Sequence, residues 1–476
     1  MSLSITWTDV LALGPIVVTF AGTLLVVILE GLLKSAYRWT FWITLGVLTA
    51  AGGVGLATVG SQGSAFGGTV LTGGFASYFA VVFCVAGILV VLLSQSYLVK
   101  QNASFGEYYA LLLSAMAGMM TMAASNDLVV FFLGLETMSI PFYVLAGFTR
   151  GVPESNEASL KYFLFGAFAT GFLLYGIALV YGTTGSTGLP ALRASLAGVS
   201  TDPVFVIGLG LMLTGFVFKI AAVPFHMWVP DVYEGAPTTV SGFMSTGGKA
   251  AAFAALILVF APQVLGSVPG VRELMAVIAA LSMVFGNVIA VAQSSIKRML
   301  AYSSIAHAGY ILTGVVAAND AGSNGVLFYL LAYTLMNVGA FGVVSMLESA
   351  AGENIRIEQC AGLSRSRPGL SFLMAVFMFS LTGIPPFAGF FGKYYVFAGA
   401  IEAGYTWLAI LGVLMSVVSA YYYLRVVVVM YFQEGTALPE SRTPRLGMIA
   451  LALSAIGLLG LGLFPSTVVD ITARFF

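Results

Sequence analysis

The stretch "VFVIGLGLMLTGFVFKIAAVPFHMWVP", residues 204–230, decides the fold class of this chain. Its first sixteen residues carry a single charge, on Lys219, at the end of the apolar run. Pro224 follows five residues later and cannot donate a backbone hydrogen bond, and its ring clashes with the carbonyl of Ile220. We therefore expect an apolar helix that ends or kinks just after a buried lysine.

The composition places this helix in a membrane. The 476 residues are 59% hydrophobic and only 8% charged, and the mean hydropathy is +1.00. A soluble domain is about 25% charged, so this chain has too few charges to cover a water-exposed surface. We predict an all-α integral membrane protein. Its net charge of zero gives no polybasic surface for nucleic acid.

Apolar stretches long enough to cross a bilayer recur along the whole chain. The first is too long for a cleaved signal peptide and lacks a basic leader and a cleavage site, so we expect it to be a span. We predict fourteen transmembrane helices, near residues 10–33, 39–60, 74–98, 106–124, 127–148, 158–182, 203–225, 238–262, 272–294, 298–318, 323–347, 371–398, 405–432 and 446–470.

Two of these spans are interrupted by proline, which suggests an internal repeat. One break contains Pro224, and the other lies in "LTGIPPFAGFFGKYYVF", residues 381–397, with Pro385 and Pro386. Broken helices in corresponding positions of two inverted halves build mid-membrane sites in transporters. The predicted segments are three N-terminal helices (1–105), a first inverted five-helix repeat (106–262), a second (272–432) and a C-terminal helix (433–476).

The distribution of basic residues sets the orientation, because cytoplasmic loops are enriched in Lys and Arg. With the N-terminus outside, eleven basic residues fall in cytoplasmic loops and three in outer segments, so we expect both termini on the non-cytoplasmic side. The eleven are Lys34, Arg38, Lys100, Arg150, Lys297, Arg298, Arg356, Arg365, Arg367, Arg442 and Arg445, and the three are Arg193, Arg272 and Arg474.

Four ionisable residues lie deep inside predicted spans: Glu136, Lys219, Lys249 and Lys393. Unpaired, they would together cost on the order of 10 kcal/mol, so we expect each to be paired, hydrated or both. Glu136 is the obvious partner for Lys219. The pair is either a structural salt bridge or a switch in which moving the carboxylate away releases a proton from the lysine. Pro141, five residues after Glu136, is expected to disturb that helix.

Further protonatable residues allow more than one interpretation. His307 is either a hydrogen-bonded packing residue or a relay between Lys249 and Lys393. His226 is either a proton-carrying residue beyond the break or a residue facing the cytoplasmic side. Lys161 is either an anchor that reaches the membrane surface or an inner residue of the path. Arg425 is expected to reach the surface or pair with Glu434.

Redox centres and metals are not expected in this chain. Its two cysteines, Cys84 and Cys360, are too few for an iron–sulfur cluster. Sodium binding favours clustered carboxylates and carbonyls, whereas only Glu136 is a central carboxylate. Lysines with one carboxylate suit protons.

Five motifs resemble one family over nearly the whole chain. They are the Glu136 span, "FKIAAVPFHMWVPDVYEGAPT" (218–238), "GKAAAFAAL" (248–256), "SIKRMLAYSSIAHAGY" (295–310) and "GIPPFAGFFGKYYVF" (383–397). They resemble the antiporter-like membrane subunits of proton-pumping NADH–quinone oxidoreductase (respiratory complex I) and of multi-subunit sodium/proton antiporters. Two features resemble the N-type members of this group: the sequence ends soon after the last span, and the broken span carries Lys393.

The resemblance implies fourteen helices with inverted repeats formed by spans four to eight and nine to thirteen. It implies a coupling pair of Glu136 and Lys219, a central Lys249, a connecting His307 and a distal Lys393, with Lys161 a less secure match. NADH, FMN, iron–sulfur clusters and quinone would be bound by partner subunits in a bacterial inner membrane or an equivalent membrane. The alternatives are a sodium/proton antiporter subunit and a structural scaffold.

Overall fold

The computed structural model describes residues 7–33, 37–348, 354–435 and 444–475. Lys34 and Arg442, which entered the charge count, lie outside these ranges. The first half contains α1 (Trp7–Ala12), α2 (Gly14–Leu32), α3 (Tyr37–Thr58), α4 (Gly74–Lys100), α5 (Glu107–Ala123), α6 (Leu128–Ala146), α7 (Pro153–Thr184), α8 (Leu189–Val199), α9 (Pro203–Lys219), α10 (Trp228–Gly235), α11 (Thr238–Phe243) and α12 (Lys249–Val259).

The second half is helical as well. It contains α13 (Pro262–Ser267), α14 (Val271–Val291), α15 (Ile296–Ala317), α16 (Asp320–Leu347), α17 (Leu363–Ser366), α18 (Pro368–Thr382), α19 (Ala388–Glu402), α20 (Thr406–Phe432), α21 (Arg445–Leu463) and α22 (Ser466–Thr472). A short antiparallel hairpin, β1 (Gln62–Ala65) with β2 (Val70–Gly73), is an addition to the predicted all-α chain. Its turn contains Gly67 and Gly68, whose positive φ angles of 67° and 90° suit glycine.

Within the described residues, eleven helices are long and apolar enough to cross a membrane. They are α2, α3, α4, α6, α7, the α11–α12 unit, α14, α15, α16, α20 and α21. The other three predicted spans coincide with shorter helices: α5 with 17 residues, α9 with 17, and the interrupted pair α18 and α19 with 15 each. Large apolar side chains such as Phe168, Trp39 and Val417 are exposed, as expected for a lipid-facing surface.

Glycines allow the helix backbones to approach closely. A Cβ on Gly118 of α5 would lie 2.4 Å from the backbone nitrogen of Met138 on α6. In the second half, a Cβ on Gly286 of α14 would lie 2.5 Å from the backbone nitrogen of Ala306 on α15. Small residues at helix contacts are typical of membrane bundles, and both contacts exclude any larger residue.

The two predicted helix breaks are confirmed. Helix α9 ends at Lys219 and α10 begins at Trp228, while α18 ends at Thr382 and α19 begins at Ala388. The disturbance expected at Pro141 does not end the helix, since α6 continues through it from Leu128 to Ala146. Proline removes only one hydrogen bond of the helix, and α6 is held on both sides by α5 and α7.

A further irregularity directly precedes Lys249. Helices α11 and α12 are joined by a single π-helical turn, Met244–Gly248. A Cβ on Gly248 would lie 2.9 Å from the ring of Phe142 on α6, so glycine lets this widened turn pack against its neighbour. Such turns are rare and occur often at functional sites.

Candidate functional site

Lys219 lies at the end of α9 and is held by neutral hydroxyl groups. It is buried, and its Nζ donates to Ser139 Oγ at 2.8 Å and to Tyr143 OH at 3.4 Å, both on α6. The nearby carbonyl of Phe218 accepts from the indole nitrogen of Trp228 at 3.3 Å and from the backbone nitrogen of Ala221 at 3.1 Å. The sequence did not identify Ser139 or Tyr143, whose only sequence signal was their spacing of about one and about two helical turns from Glu136.

Glu136 does not contact Lys219 directly. No ion pair joins the two side chains, although both belong to the described part of the chain. Ser139, which accepts the lysine's hydrogen bond, lies nearly one turn beyond Glu136 on the same helix. Glu136 borders the face of α6 that exposes Leu133 and Ile140, yet its Oε1 is buried without a hydrogen-bond partner. The expected direct pair is therefore wrong for this structure, because the register of α6 turns Ser139 toward the amine.

Lys249 is almost fully buried, with 1% of its surface exposed. Its Nζ donates to the backbone carbonyl of Ser304 on α15 at 2.5 Å and lies 5.8 Å from the ring centre of Tyr333. Ser245 and Thr246, in the turn just before this amine, both donate to the carbonyl of Gly242, at 2.9 and 2.8 Å.

His307 lies between two tyrosine hydroxyls. Its Nδ1 is 2.8 Å from Tyr329 OH and its Nε2 is 3.1 Å from Tyr423 OH. The Tyr423 hydroxyl also hydrogen-bonds the hydroxyl of Ser303. Both ring nitrogens therefore have partners that can donate or accept a proton, and these tyrosines were not found from the sequence.

The amine of Lys393 is hydrogen-bonded at the second helix break. Its Nζ donates to the carbonyls of Leu381 at 3.2 Å and Thr382 at 2.9 Å, the last residues of α18. The amine lies 4.8 Å from the ring centre of Tyr310. The carbonyls freed by the Pro385–Pro386 break therefore bind this lysine directly.

Lys161 lies in a different environment, at the surface. It forms ion pairs with Glu157 at 2.7 Å and Asp231 at 2.6 Å, and about a third of its side chain is exposed. Asp231 also pairs with Arg298 at 3.0 Å, and Arg298 with Glu234 at 2.9 Å. Partial burial opposes the charge of Asp231, but its hydrogen bonds from Lys161 and Arg298 outweigh this and lower the pKa of the carboxyl. These pairs connect α7 and α15 to α10.

His226 lies in the segment between α9 and α10. It is partly exposed, and its Nδ1 is buried without a hydrogen-bond partner. Burial lowers the pKa of this histidine below its ordinary value. The structure does not bring it into hydrogen-bond contact with the amines of Lys219, Lys249 or Lys393.

Two further ionic contacts differ from the sequence expectations. Arg425 pairs with Glu358 at 2.6 Å, whereas Glu434 pairs with Arg365 at 3.3 Å, so the predicted Arg425–Glu434 pair is wrong.

Lys297, assigned to a loop, is buried and lies 3.7 Å from the carboxylate of Glu348. This pair was missed because Lys297 sits at a helix start and Glu348 at the end of a helix about fifty residues later in the chain.

The buried groups share one property that defines the site. Lys219, Lys249 and Lys393 bind neutral hydroxyls and carbonyls, and no described carboxylate forms an ion pair with them. A neutral acceptor stabilises an ammonium group less than a carboxylate does, so these amines are suited to releasing protons. Across the described ranges, no group of three or more His, Cys, Asp or Glu is placed to hold a metal ion.

A multi-pass helical membrane protein with buried amines at or near two broken helices belongs to the antiporter-like class. The family model for the transmembrane part of NADH:quinone oxidoreductase and Mrp antiporters matches residues 125–419. The chain is 48% identical to NADH-quinone oxidoreductase subunit N of Trichlorobacter lovleyi, over 90% of this chain and 89% of that protein. It therefore belongs to the family of NADH-quinone oxidoreductase subunit N.

Solved structures agree with this assignment. A chain of respiratory complex I from Thermus thermophilus with bound aureothin matches with a TM-score of 0.84 and 37% identity, covering 96% of this chain and 99% of that one. A chain of the Mrp complex from Dietzia sp. matches with a TM-score of 0.86 at 22% identity, covering 98% and 97%. The second likeness concerns the fold alone.

Proposed function

We propose that this chain is the proton-translocating membrane subunit of an NADH–quinone oxidoreductase. NADH, FMN, iron–sulfur clusters and quinone react in partner subunits, and this chain supplies the path for protons. Its family and its relatives support the assignment. The single observation that carries the mechanism is the set of buried amines bound to neutral acceptors.

The proposed route runs from Lys219 through Lys249 and His307 to Lys393. Lys249 binds the carbonyl of Ser304, which precedes His307 by three residues on α15, and Tyr310 follows His307 by three residues under the amine of Lys393. Residues three apart lie on neighbouring positions of a helix surface. Helix α15 thus lines the route from the central lysine to the distal one, with tyrosine hydroxyls on both sides of His307.

Glu136 and Lys219 act as the coupling pair through α6, which carries Glu136 and the two hydroxyl groups that bind Lys219. The buried, unpartnered Oε1 of Glu136 borders an exposed apolar face, which a neighbouring subunit of the complex would cover. A displacement transmitted from that subunit moves α6, and with it both the charge of Glu136 and the hydroxyls that hold Lys219. Moving one charge against the membrane potential requires about 2.3 kcal/mol per 100 mV, which equals less than two pKa units at a lysine.

The finer architecture follows the same proposal. Fourteen spans form two inverted five-helix repeats, 106–262 and 272–432, between helices 1–105 and 433–476. The matching glycine contacts of α5 with α6 and of α14 with α15 support it, as do the two breaks. Both termini lie on the non-cytoplasmic side of a bacterial inner membrane. His226 and Lys161 are accessory groups near the first break.

The test uses the assembled complex in proteoliposomes supplied with NADH and quinone. Lys219→Ala and Lys249→Ala are expected to lower proton pumping by about a hundredfold, the scale of a lost acid–base group. Arg365→Gln, which changes an exposed residue, is the control and should pump normally. Normal pumping by Lys249→Ala in a fully assembled complex would refute the proposed function.

The alternative is a subunit of a sodium/proton antiporter, supported by the family model, whose description also covers Mrp antiporters. It predicts proton flux driven by a sodium gradient in vesicles without NADH. Absence of that flux, together with NADH-driven pumping, excludes the alternative.

A further inference from the structure

Glu348 is a buried carboxylate with incomplete bonding. It follows the last residue of α16 and is 2% exposed. Its Oε1 accepts a hydrogen bond from Thr238 and lies 3.7 Å from Lys297 Nζ. Its Oε2 is buried and has no hydrogen-bond partner within the described ranges. A buried carboxylate that serves only stability normally has its oxygens satisfied, so this one retains an unused acceptor.

A cavity lies beside this region and is bordered by two residues, Tyr97 and Lys100, that interact with Glu348. It has a volume of about 210 Å³ and is lined by Tyr97, Lys100, Ser345 and Met346 among others. Lys100 also donates to the backbone carbonyl of Glu348, and Tyr97 OH accepts from the backbone nitrogen of Thr238 at 3.1 Å. A cavity of this size with polar lining residues has room for several waters. The charge distribution assigns one end of the bundle to the cytoplasm, and this end carries Lys100, Lys297 and Arg298.

Lys297 lies on α15, the helix that also bears the hydrogen-bond partner of Lys249. Lys297 and Ser304 are seven residues apart on α15, two turns and about 10 Å along the helix axis. Both residues are buried, and Ser304 is the residue whose carbonyl accepts from Lys249. Lys297 also donates to the carbonyl of Ala236 at 2.9 Å. Among the described residues, the charged or titratable groups around Glu348 include Lys297 on α15, Tyr97 and Lys100 on α4, Glu234 on α10 beyond Lys297, and Arg367 beyond Lys100.

We propose that Glu348 with Lys297 is the cytoplasmic loading site that delivers protons to Lys249. This inference rests on the proposed function. A proton from water in the cavity binds the carboxylate of Glu348 and removes its attraction for Lys297. The ammonium group of Lys297 passes its proton inward to the neutral amine of Lys249. The proton on Glu348 then moves to the amine of Lys297 and restores the pair, so one proton has entered per cycle.

The decisive variants are Glu348→Gln, which keeps the shape and the acceptor for Thr238, and Glu348→Asp, which keeps a titratable carboxyl. In the assembled complex, Glu348→Gln is expected to pump about tenfold more slowly, and Glu348→Asp to recover part of that rate. Glu434→Gln, on an exposed carboxylate paired with Arg365, is the matched control and should leave pumping unchanged. Infrared difference spectra should show a protonated-carboxyl band that is absent from Glu348→Gln.

The outcomes separate the two proposals. Normal pumping by Glu348→Gln with failed pumping by Lys249→Ala overturns the loading site and leaves the proposed function intact. Normal pumping by both variants overturns the proposed function. If Glu348→Gln does not assemble, the rate–pH profile of Glu348→Asp decides: an acid shift supports the loading site, and an unshifted profile overturns it.

Discussion

Lys249 donates a hydrogen bond to the backbone carbonyl of Ser304, across the contact between α12 and α15. A backbone carbonyl cannot ionise, so this bond fixes the position of the amine without fixing its charge. Ser304 lies less than one turn before His307. The central lysine is thereby attached to the helix that carries the next group of the route.

Lys249→Arg tests whether the central amine must lose its proton. Arginine keeps the positive charge but does not deprotonate in proteins, so we expect pumping to fall by about a hundredfold, as in Lys249→Ala. The rates of NADH oxidation and proton uptake in proteoliposomes provide the measurement. Complex assembly must be confirmed on native gels, since arginine is larger. An arginine variant that pumps as well as the native protein would show that charge alone is sufficient.

Ser139→Ala tests how Lys219 is held. The substitution removes the 2.8 Å hydrogen bond and leaves only Tyr143 OH at 3.4 Å. Leaving a buried charged donor short of a partner costs about 1–3 kcal/mol, so we expect a lower thermal midpoint and a changed pumping rate. Thr137→Ala, on a hydroxyl that bonds its own helix, is the control. Equal midpoints in both variants would contradict this role of Ser139.

The tyrosines beside His307 are expected to act together with it. Tyr423→Phe removes the partner of Nε2 and Tyr329→Phe the partner of Nδ1, so each should slow pumping. Because the groups form one chain, either tyrosine variant combined with His307→Gln should pump only a little more slowly than His307→Gln alone. The rates of the single and double variants form a double-mutant cycle. Strictly additive losses would argue against a shared chain.

His226 gives a pH dependence of defined sign. Burial lowers the pKa of the folded histidine below its ordinary value of 6.5, so the unfolded chain binds this proton more readily. The contribution of neutral His226 to stability is complete above pH 6.5 and declines as the pH falls toward the lower folded pKa. Below pH 6.5, His226→Gln should therefore lose less thermal stability than the native protein does. The measurement is the midpoint temperature of unfolding as a function of pH. An unchanged slope would show that His226 does not titrate with unfolding.

Gly389→Ala tests the packing at the second break. A Cβ there would lie 1.8 Å from the carbonyl oxygen of Ser380, so α18 and α19 must separate near Lys393. Overpacking of this kind costs about 1–3 kcal/mol, and we expect a lower thermal midpoint with slower pumping. Gly171→Ala, with open space around its Cβ, should be neutral or slightly stabilising. Equal effects of the two substitutions would contradict the steric argument.

The sequence predicted the features that follow from composition and local chemistry. The apolar runs predicted a helical membrane protein, and prolines predicted the ends of α9 and α18. The five motifs predicted the family, which the comparisons confirmed. The partners of the buried groups were not predicted, because they depend on helix rotation. Ser139 rather than Glu136 meets Lys219, and Glu358 rather than Glu434 meets Arg425, since small differences in register select one neighbour over another.

The π-helical turn Met244–Gly248 has a consequence for insertions and deletions in this segment. A turn of this kind contains one residue more than an α-helical turn, so removing one of its residues would regularise the helix. Later positions would then keep nearly the same direction. If the turn instead wound as a regular α-helix with all of its residues kept, every later position would rotate by about 100° around the axis, and Lys249 would move away from Ser304 with no change in its chemistry. The wider winding of this turn, as much as the residues in it, aims the central amine.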